Sequence, residues 1–196
     1  MKKTVLLPIV GDGRYGFFDA SGLPRYPAVS DVRLEQLPAE FAVTSDYDPE
    51  ARNHCAAVTA TNISLILSPP ANARTKEALG RIAHRSFTSI HNRIGNGPIL
   101  NLEKRIMRYY TEAGIPIRCR RLRDTAAIPS ALMQNHPAAL LLADSLFQWH
   151  WVTVIGQLSW PDDTVLIIAD SWHRTPRYYR PGYGSRVLGV LEFYIP

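Results

Sequence analysis

The sequence predicts an α+β fold in which a group of helices precedes an antiparallel sheet. Between residues 55 and 113 the apolar residues recur at helical spacing, and proline or glycine interrupts the pattern between segments. After residue 115 the pattern changes to alternation with period two and to short apolar runs, which are typical of strands. Because helices and strands occupy separate parts of the chain, an α+β fold with an antiparallel sheet is favoured.

Composition limits the class of protein. The 196 residues suit one compact domain, and 46% apolar with 20% charged residues excludes wholesale disorder or a fibrous fold. No apolar run approaches the ~20 residues that span a bilayer, so we expect no membrane partner. The apolar stretch after Lys2 and Lys3 is seven residues long, contains Pro8 and lacks a cleavage site. We therefore interpret it as a strand rather than a signal peptide and expect a cytoplasmic location.

The chain divides near residue 45. Residues 1–44 are predicted to form a β-hairpin, with strands at 4–10 and 15–19, followed by an extended arm punctuated by prolines. This arm could cover a cleft, dock a partner or join the sheet, and the sequence leaves these roles open. Residues 45–196 are predicted to form the main domain.

Regular elements are predicted along this second region as follows. Helices are expected at 55–67, from 75 to 87 or 94, at 101–113 and at 128–135; strands are expected at 115–122, 138–143, 149–158, 164–169 and 187–195. The segment 172–185, rich in tyrosine, glycine and proline, is predicted to be a long loop beside a cleft.

Cys55 is the first candidate for chemistry, because it stands where a helix is predicted to begin. The free backbone N–H groups and the positive dipole end of a helix favour a thiolate, which is a nucleophile. The same N–H groups can bind a developing oxyanion. A nucleophile of this kind needs a base.

His150 and Asp170 complete a possible triad. His150 begins one predicted strand and Asp170 ends the next, so a hairpin between them brings both to the same end of the sheet. The carboxylate would then orient the imidazole and stabilise its charged form. Taken singly, a buried small thiol, a core histidine and a turn aspartate are the commoner interpretations. The ordered combination favours a Cys55–His150–Asp170 triad.

Three motifs carry a resemblance to a known family. They are NHCAAVTATN at residues 53–62, HWVTVIG at 150–156 and IADSW at 168–172. Together they resemble the papain-like cysteine peptidases of the C39-like group, over about residues 45–196. The resemblance implies a papain-like fold, with Cys55 as nucleophile, His150 as general base and Asp170 as orienting residue. It also implies a peptide or protein substrate and no cofactor.

The sequence departs from this family at two positions. Ala56 follows the cysteine where the family often has glycine. Pro49 stands about where the family often has a glutamine that donates to the oxyanion, and proline has no such donor. Asn53 is the nearest upstream amide, so we expect it to be the oxyanion donor, although a turn or N-cap role fits it equally well.

Several functions remain open at this stage. The leading one is a cysteine peptidase or amide hydrolase that works through an acyl-enzyme. The same triad order occurs in transglutaminase-like and arylamine acetyltransferase-like enzymes, and a non-catalytic papain-like domain that binds peptides is a further alternative. Asp170 and His173 could suggest a metal, but no recognised ligand spacing is present, so none is expected. Arginine clusters occur at 118–123 and 174–186 without a nucleic-acid-binding motif, so we expect no nucleic-acid partner.

Overall fold

An antiparallel sheet of eight strands and four helices make up the described fold. The structure is a computed structural model and describes residues 15–47, 54–68, 76–97 and 99–196. The helices are α1 (Cys55–Leu67), α2 (Lys76–Ile94), α3 (Leu102–Glu112) and α4 (Ile128–Met133). The strands are β1 (Phe17–Phe18), β2 (Ser30–Arg33), β3 (Arg118–Leu122), β4 (Ala138–Ala143), β5 (Trp149–Trp160), β6 (Asp163–Ala169), β7 (Arg177–Tyr179) and β8 (Arg186–Tyr194). The predicted α+β class with an antiparallel sheet is confirmed.

The sheet is built around β5, its longest strand. The strand order is β1-β7-β6-β5-β4-β8-β3, and β2 pairs with the far half of β5, beyond the end of β4. β4 pairs with the first half of β5, where Leu142 is opposite His150. β6 pairs with β5 only from Thr153 onward, and its last residue, Ala169, is opposite Thr153. The first residues of β5 therefore extend beyond the end of β6, and this end of the sheet holds the candidate site.

Two apolar clusters cover the two faces of the sheet. Successive side chains of a strand point to opposite faces. In β4, Leu140 belongs to a cluster that includes Ile128 of α4 and Phe17 of β1. The next residue, Leu141, belongs to a cluster that includes Ile106 of α3 and residues of α1 and α2. Helices α1–α3 therefore lie on one face, and α4 lies on the other together with Phe17 of the N-terminal segment, which is residues 15–47.

Helix α1 lies against β5 because its packing surface is made of small residues. Ala56, Ala57 and Ala60 are fully buried and allow close approach, while Val58 and Ile63 fill the space between the elements. Fully burying a valine or isoleucine side chain contributes about 1.5–3 kcal/mol. This packing fixes the first turn of α1 beside the first residues of β5. No helix within the described ranges has the length and apolar character needed to cross a bilayer.

The structure adds two strands that the sequence did not predict. β7 lies within the segment 172–185 that was predicted to be a loop, and β2 lies within the predicted extended arm. β2 has four residues and β7 has three, and neither carries an apolar alternation of its own. Both form because neighbouring strands pair with them, β5 with β2 and β6 with β7. β1 pairs with β7, while the predicted hairpin strand at 4–10 lies outside the described residues. Within the described part of residues 1–44, β1 and β2 thus belong to the sheet.

Candidate active site

Cys55 is the first residue of α1 and is 5% exposed. Its thiol accepts a hydrogen bond from the main-chain N–H of Trp151, and the N–H groups of Ala56 and of Cys55 itself also approach it. Burial raises the pKa of the thiol, and these three N–H groups act in the opposite direction without overcoming it. Burial therefore works against the thiolate that the sequence predicts, because removal from water outweighs the effect of the helix start.

His150 is the second residue of β5, and its protonation pattern follows from one hydrogen bond. Nε2 lies 2.7 Å from the main-chain oxygen of Asp170. A carbonyl oxygen only accepts hydrogen bonds, so Nε2 carries the proton and Nδ1 is the unprotonated nitrogen of the neutral ring. Burial lowers the pKa of His150 to about 4, although the Asp170 carbonyl and the Asp170 charge act to raise it. The imidazole is therefore neutral near pH 7.

Aromatic rings enclose the His150 imidazole. Trp172 stacks on it with ring centroids 4.1 Å apart and an interplanar angle of 19°. Tyr15 and Phe17, from the N-terminal segment, approach the same ring at 5.2 and 6.0 Å. Sequence reasoning missed these contacts. The position of Trp172 directly after Asp170 and Ser171 was a usable signal, whereas Tyr15 had none because its contact depends on the pairing of β1 with β7.

Two strained backbone positions flank this enclosure. Tyr15 and Ser171 have φ of 60° and 68°, in the left-handed region that side-chain-bearing residues avoid. Such a conformation costs roughly 1–2 kcal/mol per residue, and it persists only where the surrounding structure enforces it. The Tyr15 ring contacts His150. Ser171 lies in the chain between Asp170, whose carbonyl binds His150, and Trp172, whose ring stacks on it. Strain of this kind often concentrates at functional sites.

Asp170 lies beside His150 as predicted, but a different group makes the contact. Its carboxylate Oδ1 accepts the main-chain N–H groups of Trp172 and His173 at 2.9 and 2.8 Å. Its Oδ2 lies 2.7 Å from His173 Nδ1. The expectation that the carboxylate binds the imidazole is thus corrected: the main-chain carbonyl does. The order of strands determined that the two residues meet, whereas the turn after β6 determined which group of Asp170 faces His150.

Cys55 and His150 lie at the same end of β5, joined through Trp151. The Trp151 indole donates to the Ile99 carbonyl at 3.1 Å, and the Thr153 hydroxyl lies 3.5 Å from the carbonyl of Thr59 in α1. The side chains of Trp151 and Thr153 face helices α1–α3. Because successive side chains of a strand alternate, His150 points to the other face of the sheet, the one that α4 covers. Among the described residues, no hydrogen bond or ion pair joins the thiol to the imidazole. Asn53, the expected oxyanion donor, lies outside the described residues.

The remaining residues that the sequence analysis considered are His54, the possible metal ligands and the two arginine clusters, and His54 and both clusters have contacts away from Cys55 and His150. His54 caps α1 and packs edge-on against His91 and Phe87, at 4.6 and 5.6 Å between ring centroids. Within the described ranges, no three His, Cys, Asp or Glu side chains form a group that could hold a metal ion. Arginines of both clusters take part in ion pairs with carboxylates, namely Arg120 with Glu192, Arg174 with Asp46 and Arg180 with Asp163.

Comparison with known proteins adds no assignment: no protein-family model and no curated protein matches this chain. The residues themselves define the chemistry available. The Cys55 thiol lies beside the main chain of Trp151, the residue that follows His150. The neutral imidazole of His150 donates from Nε2 to the Asp170 carbonyl, and its Nδ1 carries no proton. Such an imidazole can accept a proton at Nδ1.

Proposed function

We propose that this chain is a cysteine-dependent amide hydrolase or peptidase of the papain-like type, with Cys55 as nucleophile and His150 as general base. One observation carries the proposal. The Cys55 thiol accepts the N–H of the residue after His150, and the carbonyl of Asp170 leaves Nδ1 of His150 as the basic nitrogen. A nucleophile and a base at one sheet end, with the base oriented by a third residue, are two elements of covalent acyl transfer; the remaining one, hydrogen-bond reach between the two side chains, requires a rearrangement, because His150 and Cys55 lie on opposite faces of the sheet.

The reaction follows from these protonation states. Because burial favours the neutral thiol and the neutral imidazole, proton transfer accompanies attack instead of preceding it. In this structure the His150 ring lies on the face of the sheet opposite the one that carries Cys55, so the first step requires the start of β5 to rearrange until Nδ1 and the thiol are within hydrogen-bond reach. His150 Nδ1 then takes the thiol proton as the sulfur bonds to the substrate carbonyl carbon, which gives a tetrahedral oxyanion. His150 then gives this proton to the leaving amine, and a thioester remains on Cys55. Water, activated by His150, hydrolyses the thioester and restores both groups.

The oxyanion needs donors near the sulfur. The N–H groups of Cys55 and Ala56 approach the thiol at the start of α1, where intrahelical partners are missing. Preorganised N–H groups of this kind stabilise developing negative charge. Asn53 remains the predicted side-chain donor, and loss of turnover in Asn53→Ala, with Cys55 labelling unchanged, is the expected result for that role.

A specific observation favours a second candidate, a non-catalytic papain-like domain that binds peptides. The thiol pKa is raised, and thiol and imidazole share no direct hydrogen bond among the described residues. In such a domain Cys55 would be a buried core thiol, and replacement of His150 would leave its reactivity unchanged.

The test compares wild type with His150→Gln in a Cys119→Ser background. The Cys119 substitution removes the other thiol, whose pKa burial raises to about 12. Glutamine places an N–H where His150 Nε2 donates to Asp170, but it offers no base at the Nδ1 position. The measurements are the rate of Cys55 alkylation by iodoacetamide near neutral pH and the acylation burst with p-nitrophenyl acetate, located on Cys55 by mass spectrometry.

The two functions give opposite outcomes. A general base contributes about 10²–10⁴-fold, so the hydrolase proposal expects His150→Gln to lose at least about 100-fold in both rates. Equal alkylation in the two proteins, without an acetylated Cys55, would overturn it in favour of the binding domain. Once acylation is found, hydroxylamine or an added amine as acceptor distinguishes hydrolysis from acyl transfer.

A further inference from the structure

Asp170 divides its functional groups between two imidazoles. Its main-chain oxygen binds Nε2 of His150, and its carboxylate binds Nδ1 of His173, both at 2.7 Å. The side chain of Asp170 is fully buried, whereas that of His173 is 43% exposed. The sequence suggested one Asp–His pair, and the structure contains two, one through the backbone and one through the side chain.

The carboxylate fixes the turn that follows β6. Asp170 Oδ1 accepts the N–H groups of Trp172 and His173, so the carboxylate closes the turn on its own backbone. Ser171, inside this turn, has the left-handed φ of 68°. The Ser171 carbonyl is bound from outside by the N–H and the hydroxyl of Thr44, at 2.9 and 3.0 Å.

The same turn controls the surroundings of His150. It carries both the carbonyl that binds Nε2 and the Trp172 ring that stacks on the imidazole. Trp172 is 39% exposed, so burial alone does not hold its ring in place. The backbone of the turn must do so. Any group that stabilises the turn therefore acts on the orientation and the solvent exclusion of His150.

His173 is such a group. We propose that His173 is a positioning residue: its Nδ1–H, bound to the buried Asp170 carboxylate, locks the 170–173 turn so that the Asp170 carbonyl and the Trp172 ring hold His150 in place. The inference concerns the base of the proposed hydrolase and rests on that function for its catalytic meaning. Without this donor, a buried carboxylate oxygen loses a partner, and the turn must open to water to replace it.

The consequence can be measured on His150 itself. Its ring is faced by Tyr15 from the N-terminal segment, by Asp170 and Trp172 from the turn, and lies beside the main chain that contacts the Cys55 thiol. Desolvation is the largest cause of the low pKa of His150. Opening the turn admits water to the ring, which raises that pKa toward the ordinary histidine value.

The experiment uses two amide variants of the full chain as a matched pair. His173→Asn carries its N–H at the position of Nδ1 and keeps a donor for Asp170. His173→Gln carries its N–H at the position of Nε2 and does not replace that donor. Both are neutral and polar, as an exposed site requires. NMR of the imidazole Cε1–H resonance gives the pKa of His150 in each protein, and Cys55 alkylation gives the reactivity of the thiol.

We expect wild type and His173→Asn to keep the low pKa of His150, and His173→Gln to raise it by at least about one pH unit. A pKa of His150 that is unchanged in His173→Gln would overturn the proposal, and so would an equal rise in both variants. If His173→Gln loses its thermal unfolding transition, His173→Ala provides the same comparison against His173→Asn. The NMR result does not depend on turnover, so failure of the hydrolase proposal, seen in His150→Gln labelling, is distinguishable from failure of this one.

Discussion

Burial of His150 makes the stability of the fold depend on pH. The ring is enclosed by Trp172, Tyr15 and Phe17, and its pKa falls from 6.5 to about 4. In the unfolded chain the imidazole is exposed and takes up a proton at its ordinary pKa. Between these two values the unfolded state binds more protons than the folded state. The stabilising contribution is therefore fully present above pH 6.5 and is lost as the pH falls toward 4.

The size of the effect follows from the difference between the two pKa values. One pH unit corresponds to about 1.4 kcal/mol, so the change from 6.5 to about 4 is worth roughly 3 kcal/mol once the pH lies below both values. Integration over the range gives a loss of about 2 kcal/mol between about pH 7 and pH 5. Native domains are typically stable by only about 5–15 kcal/mol, so this loss is readily measured.

The assay compares wild type with His150→Gln by urea unfolding at about pH 5, 6, 7 and 8, followed by circular dichroism. Glutamine keeps an N–H for the Asp170 carbonyl but does not titrate. The other ionisable groups are common to both proteins, so their contributions cancel in the difference. We expect the stability advantage of wild type over the variant to shrink by about 2 kcal/mol from pH 7 to pH 5. A difference that stays constant over this range refutes the buried, neutral imidazole.

Two further predictions concern how the N-terminal segment is held near the site. A methyl group at Gly184 would lie 2.6 Å from the Cα of Gly16, whereas one at Gly182, with a similar positive φ, meets nothing within 4 Å. The backbone strain is common to both alanine variants, whereas the steric overlap occurs only at position 184. Gly184→Ala should therefore lose about 1–3 kcal/mol more of the free energy of unfolding in urea than Gly182→Ala, and equal losses would argue against the close approach. The buried Asn62 amide bonds both the N–H and the carbonyl of Ala42. Asn62→Ala should therefore cost about 2–4 kcal/mol by the same measurement, and a loss below about 0.5 kcal/mol would contradict this role.

Periodicity alone predicted most of the regular elements. The predicted ranges 138–143 for β4 and 55–67 for α1 agree with the structure. β5 and β6 differ from prediction by one or two residues at their ends. These elements have strong local signals, because they are either continuous apolar runs or helical patterns bounded by turn residues. β2 and β7 lack such signals, and only pairing with distant strands creates them.

The same division applies to the candidate site. The sequence by itself determined that Cys55 begins a helix and that His150 and Asp170 meet at one end of a hairpin, since each of these depends on local pattern and strand order. Only the tertiary structure decided that Asp170 binds His150 through its carbonyl, that its carboxylate binds His173, and that Tyr15 and Trp172 enclose the base. It also decided the protonation states of thiol and imidazole. The physical reason is that turn conformation and desolvation depend on contacts between segments that are distant in the chain, which no local pattern encodes.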